Sequence, residues 1–316
     1  MLQQTQVSRV IERFEPFMDR FGTPLLLAQA DEEAVLAMWQ GLGYYRRARN
    51  LQRSAADIVE RFGGEVPLEV EDLMSLPGVG RYTAGSIASI VGGQRVPIVD
   101  GNITRLLARV YEDDAAQDDR AFIARTWERS EQLVQACGKP GVLNEGMMEL
   151  GATVCTPASP SCNACPVRTC CAACDSNRTG EIPPPKRRAV KEVLHHHAVV
   201  VERRGRMLMQ RRPGGGLWGG LWQATAVESP SRLAQQEVAE SCGLPLESLA
   251  LVESVQRQLT HRTVHLHVHI GVLKRGARLP EADHRRWMLA DEVTKAPLSN
   301  AARHVLEVAK AALALS

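Results

Sequence analysis

A chain of 316 residues, 44% apolar and 23% charged, has room for two or three domains and the balance of an ordinary soluble protein. A formal charge of +2 excludes a nucleic-acid interface built on bulk charge, so any such face must come from local basic clusters. No apolar run reaches the roughly 18 residues of a membrane span. No charged-then-apolar leader opens the chain, and a soluble cytoplasmic protein is expected.

In chain order, residues 1–153 read as helix after helix. DEEAVLAMWQ places Asp31 as an N-cap, with Val35, Leu36 and Trp39 at helical spacing. The pattern repeats from Tyr44 to Phe62. TAGSIASIV is a small-residue helix suited to close packing. GNITRLLARVY and the stretch 120–136 complete an all-α domain. A cysteine-rich loop at 154–175 follows, then a linker at 176–193. Within the linker, IPPPKRRAVK joins three prolines to a basic run and reads as exposed.

After the linker the period changes. HHHAVVV and RMLMQRR are strand-like runs separated by ERRG, a turn. Residues 231–242 read as a helix. VHLHVHI alternates, with Val264, Leu266, Val268 and Ile270 on one face and His265, His267 and His269 on the other. The histidine face is expected to be solvated, with a metal site as the alternative. AARHVLEVAKAAL closes an α+β domain at 194–316 as a helix.

Six of the eight cysteines fall between Cys155 and Cys174, while the first histidine is His195. Chemistry in the first 194 residues must therefore use carboxylates, Tyr, Lys or Cys. In a leaderless chain, such crowding reads as metal or cluster ligation before disulfides. Cys155, Cys162, Cys165 and Cys171 form C-x6-C-x2-C-x5-C. Four thiolates in one loop suit a [4Fe–4S] cluster, with zinc as the other candidate and Cys170 an alternative fourth ligand.

LPGVG at 76–80 makes a tight turn between helices through Gly78 and Gly80. The amides that open the next helix can hold a phosphate oxygen. Asp100 lies 20 residues past Gly80, in VDGN at the head of a helix. Its alternative role is simply to cap that helix.

Several stretches resemble the helix–hairpin–helix glycosylases, and within them the MutY-type adenine DNA glycosylases. They are MLQQTQV (1–7), GLGYYRRARNL (41–51), LPGVGRYTAGSI (76–87), VDGNITRLLARV (99–110), NEGMMELGATVCTP (144–157) and the cysteine loop. GGGLWGGLWQ and LTHRTVHLHV resemble the Nudix-like domain of that family. The resemblance implies a multidomain fold: an all-α helix–hairpin–helix glycosylase domain with an iron–sulfur loop, then an α+β Nudix-like domain. It implies a cytoplasmic, nucleoid-associated monomer that flips adenine out of double-stranded DNA where it faces 8-oxoguanine or guanine, and hydrolyses its N-glycosidic bond. Asp100 would stabilise the oxocarbenium-like sugar. Tyr82 and Asn102 would support the sugar and phosphate. Leu2, Gln3, Gln4 and Tyr44 would contact the adenine or wedge into the stack, and Glu145 would line the adenine pocket. Relatives that also nick the strand carry a lysine where this chain has Tyr82, so a monofunctional enzyme is expected.

The run QEVAESCGL matches a Nudix box at Glu237, Glu240 and Gly243, with Glu228 upstream. It departs from the box at Trp222, Gln236 and Ser241, which implies a lesion reader that has lost Mg²⁺-dependent hydrolysis. The loop Leu259-Thr260-His261 stands where the family has Phe-Ser-His against the damaged guanine. The family's general acid is a Glu two residues before the Met of MLQQTQV, which here is Met1. The expectations are a start assigned too far downstream or, alternatively, a catalytically impaired mismatch-binding protein. As written, the chain should bind mispaired DNA and excise adenine slowly or not at all.

Overall fold

The computed structural model describes residues 1–185 and 191–314. The helices of the first half are α1 Val7–Phe21, α2 Pro24–Gln29, α3 Glu32–Met38, α4 Arg46–Phe62, α5 Val70–Ser75, α6 Arg81–Ile90, α7 Gly101–Val110, α8 Arg120–Ala136, α9 Pro140–Glu149 and α10 Ala172–Asp175. The second half contains β1 Glu192–Val200, β2 Glu202–Arg203, β3 Arg206–Arg211, β4 Trp222–Ser229, α11 Gln235–Ser241, β5 Leu246–Gln258, β6 Arg262–Leu273, β7 Arg285–Leu289, α12 Ala290–Lys295 and α13 Asn300–Leu313. The order is that of a helical half followed by an α+β half.

The chain groups into two compact units, Met1–Ala56 with Ala189–Ser316, and Asp57–Arg188. The first 56 residues thus group with the sheet and not, as a collinear segmentation at 153 would have it, with the rest of the helical run. Asp31 caps α3 by accepting from the Ala34 amide, and Val35, Leu36 and Trp39 are buried as their spacing predicts. Their core includes Leu221 from the loop before β4. The Tyr45 hydroxyl donates to the Leu298 carbonyl at 2.9 Å, and the Trp222 indole donates to Glu33.

The sheet of this unit runs β2-β3-β4-β1-β6-β5, with β7 paired to β3. β1 and β6 are parallel; the other pairings are antiparallel. Ala198, Val200, Leu266 and Val268 pack against Val305 and Ala309 of α13, while Val199 and Val201 pack against Val238 and Cys242 of α11 and its C-cap. Both faces are therefore covered, which corrects the expected solvated histidine face. His267 and His269 are buried, together with His196 and His197. The His195, His197, His267 and His269 rings stack on one another or exchange hydrogen bonds in place of water, while His196 meets Glu228 and Trp218. The expected helix at 231–242 forms only over α11, where Glu237 accepts from the Ala234 amide at the helix start.

In the unit Asp57–Arg188, two apolar clusters hold the helices. Ile58, Leu73, Leu76, Ala84 and Ala88 join α4, α5 and α6, while Ile98, Ile103, Leu107 and Met147 join α7 and α9. The segment read as an exposed linker begins buried: Ile182 is 1% exposed and its carbonyl accepts from Arg109. Positions 186–190 of that segment lie outside the described residues.

Candidate functional site

The turn between α5 and α6 is built as the glycines predict. Gly78 adopts φ +81°, a conformation that a Cβ would strain, and Gly80 is the N-cap of α6 with no side-chain cap. Both glycines are exposed, so the opening amides of α6 face outward.

Asp100 is the N-cap of α7. Its Oδ1 accepts from the Asn102 amide at 2.9 Å and the Ile103 amide at 2.8 Å. These two amides fix the position of the carboxylate at the head of the helix. Tyr82 on α6 is close enough to feel that charge. Burial and then the Asp100 carboxylate push its phenol above the ordinary range, and its hydroxyl donates to Met148 Sδ at 2.7 Å. Asn102 turns the other way. Its Oδ1 accepts from Arg105, which also reaches the Gly151 and Cys155 carbonyls. The single π turn Leu150–Val154 passes so near α7 that a Cβ on Gly151 would meet Asn102 at 2.8 Å. Glu145 stands exposed on α9, and it is Met148, one turn on, that contacts Tyr82.

Cys155, Cys162, Cys165, Cys171 and Cys174 line one cavity beside Arg109, whereas Cys170 is exposed and bonds the Val167 carbonyl. Burial pushes the thiols of Cys171 and Cys162 up, with the neighbouring Cys174 adding to the latter. Thiolates gathered around one cavity are a donor set that a [4Fe–4S] cluster takes.

Arg109 was missed by sequence reasoning. It is 2% exposed, and its guanidinium lies 3.3 Å from Cys155 Sγ. It also donates to the carbonyls of Ile182, Thr156 and Pro157. The available signal was the spacing of Arg105 and Arg109, which share one face of α7 at i, i+4 directed at the cysteine loop.

The remaining candidates lie in the unit Met1–Ala56 with Ala189–Ser316. Leu2, Gln3 and Gln4 are exposed, and Gln4 has φ +56°. Arg47 organises the segment by donating to the carbonyls of Met1, Gln3, Leu42 and Gly43 and to Thr5 Oγ1. Tyr44, with φ +47° and an exposed ring, hydrogen-bonds Thr260 on the β5–β6 turn. The structure thus joins two positions read separately from sequence, and His261 sits beside them, exposed. The Nudix-box acids do not converge. Glu237 caps its own helix, Glu240 accepts from Gln236, and Glu228 is held by His196 and Arg212. Those two partners, His196 first, keep the Glu228 carboxyl down at about 2.

Residues 1–132 match the model of the HhH-GPD superfamily of base excision DNA repair proteins, and residues 196–308 match that of the NUDIX domain. The chain is 48% identical over 174 residues to the adenine DNA glycosylase of Rattus norvegicus, covering 55% of this chain and 34% of that one. It is also 48% identical over 174 residues to that of Homo sapiens, covering 55% and 32%. It spans about a third of the length of these relatives. A solved non-covalent complex of endonuclease III with DNA is 26% identical, covering 56% of this chain and 80% of that one, with a TM-score of 0.48. Among the described residues, no helix is long and apolar enough to cross a membrane.

Proposed function

From the match of residues 1–132 to the HhH-GPD superfamily model and of residues 196–308 to the NUDIX domain model, we propose that this is a MutY-type protein that removes adenine mispaired with 8-oxoguanine or guanine in double-stranded DNA by hydrolysing the N-glycosidic bond. The observation that carries this reading is Asp100, a carboxylate fixed at the head of α7 by two amides to one of its oxygens. Cleavage of the glycosidic bond leaves positive charge on the sugar. A preorganised carboxylate stabilises that charge without reorganising at the moment of reaction. Tyr82 stays protonated beside it and offers no amine, so no Schiff base forms and the strand is not nicked.

The exposed turn Gly78–Gly80 and the opening amides of α6 hold a backbone phosphate. Leu2, Gln3, Gln4 and Tyr44 meet the flipped or neighbouring bases, Glu145 faces the adenine, and Asn102 supports the phosphate side. Cys155, Cys162, Cys165 and Cys171 would hold a [4Fe–4S] cluster, whose net negative charge when bound is balanced by the buried Arg109. The segment 194–316 reads the base opposite adenine through Thr260 and His261, and the engaged state of Glu228 supports a domain that no longer hydrolyses nucleotides.

The test is incubation with a duplex carrying adenine opposite 8-oxoguanine, analysed with and without alkali. It is run with the parent chain and with Asp100→Asn. Breaks that appear only after alkali support the reading. Breaks without alkali would overturn the monofunctional assignment, and excision unaffected by Asp100→Asn would overturn the site.

A further inference from the structure

β1 and β6 run parallel in a register that sets His195 opposite His265, His197 opposite His267 and Val199 opposite His269. Alternate residues of a strand share a face, so five histidines from two neighbouring strands stand together. The His195 and His267 rings are nearly parallel with centroids 5.3 Å apart, and His197 stacks on His267 at 4.4 Å. One ring nitrogen from each of His195, His197 and His267 lies within 4.8 Å of the other two. His197 and His267 are 1% and 4% exposed, while His195 is half-buried and forms the way in.

We propose that His195, His197 and His267 form a binding site for a divalent transition-metal ion of the zinc class, which staples β1 to β6. Three imidazoles with a fourth position left for water is a recognised zinc donor set. Nitrogen donors of this kind select zinc, copper or nickel over magnesium or calcium.

Hydrogen bonds already orient the donors. Ser254 Oγ bonds His267 Nδ1 at 2.8 Å, which turns Nε2 toward His195 Nδ1, 3.0 Å away. Coordination replaces that last bond and one of the two at His197, whose Nδ1 meets His269 Nε2 at 3.1 Å and whose Nε2 accepts from the Leu233 amide; a ring whose metal-facing nitrogen carried a proton holds it on its other nitrogen, so no net proton is lost. Beside the triad, His269 Nδ1 is buried with no partner, so the histidine ladder is not closed on itself. Arg232 is the cation acting on these rings; it is exposed, so solvent screens its repulsion of a metal.

The experiment uses the full chain, loaded with iron and washed with a mild chelator, and titrates Zn²⁺ at neutral pH by calorimetry and by thermal melting. One zinc per chain should bind beyond the iron, and the melting temperature should rise with zinc concentration. His195→Ala, at the half-buried donor, should melt like the parent without zinc and bind at least about 100-fold more weakly. The exposed His284→Ala should bind as the parent does. X-ray absorption at the zinc edge separates this site from the cysteines. A nitrogen shell at about 2.0–2.1 Å is expected, whereas a sulfur shell at about 2.3 Å would overturn the proposal. No added zinc bound, or equal binding by His195→Ala, would overturn it too.

Discussion

Arg109→Met tests whether the buried guanidinium holds the cysteine loop. The substitution keeps the apolar stem and removes four contacts: to the Ile182, Thr156 and Pro157 carbonyls and to Cys155 Sγ. Hydrogen bonds to a charged group contribute about 1.5–3 kcal/mol each, but they do not add. Part of the total is offset because the variant no longer buries a charge. Removing one partner of a buried charged arrangement costs about 3–5 kcal/mol, and that is the expected loss in urea unfolding. The three carbonyls and the thiolate lose their donor together, so iron per chain should fall in parallel. Arg109→Lys keeps the charge as a single point that cannot span four acceptors, and should land between the two. If Arg109→Met retained the parent's iron content and urea midpoint, the guanidinium would be a passenger and the reasoning would fail.

Asp100→Asn keeps the N-cap, since Asn caps a helix as well as Asp, yet removes the charge; melting should be unchanged while adenine excision in single-turnover assays falls about 10²–10³-fold. Tyr44→Phe removes the bond to Thr260 and should narrow the preference for 8-oxoguanine over guanine, measured by competition binding, by about 1 kcal/mol. Glu228 is held near 2 by His196 and Arg212, well below its ordinary 4.5. It therefore adds stability above pH 4.5 that is lost as pH falls from 4.5 toward 2. After solvent screening the effect is about 1–2 kcal/mol, read as the difference in pH dependence of unfolding between the parent and Glu228→Gln. Cys162→Ser should lower iron per chain, and Cys242→Ser, whose thiol bonds the Ala239 carbonyl, should leave it intact.

Helices were legible where one face is apolar and the cap is chemically distinctive. The stretch 120–136 reads as a helix at the observed bounds of α8, and the VDGN sequence marks both α7 and the carboxylate at its head. β5 left no comparable signal, because most of its residues are exposed and its apolar positions do not alternate strictly. The histidine ladder shows the limit of period-two reasoning. Alternation says which residues share a face, but not whether another element covers it. Here α11 covers the face, so side chains that look solvated are packed on one another. Arg109 was hidden for a related reason: an arginine in RLLAR reads as solvent-facing until the cysteine loop folds its carbonyls over it.

The same limit governs how the chain groups into units. Val35, Leu36 and Trp39 announce a buried stripe on α3, but an apolar stripe carries no information about what buries it. The answer includes Leu221 with Trp218 beside it, and Glu33 receives the Trp222 indole. These bonds are polar, specific and distant in sequence, so neither periodicity nor composition marks them. They also have a consequence for the site. Arg47 ties the Met1–Thr5 segment to the loop that carries Tyr44, and Tyr44 bonds Thr260. Positions read from sequence as contacts to adenine and to the opposing base are therefore linked through one chain of hydrogen bonds. A change at either end should be felt at the other, as a double-mutant cycle on Arg47 and Thr260 would measure.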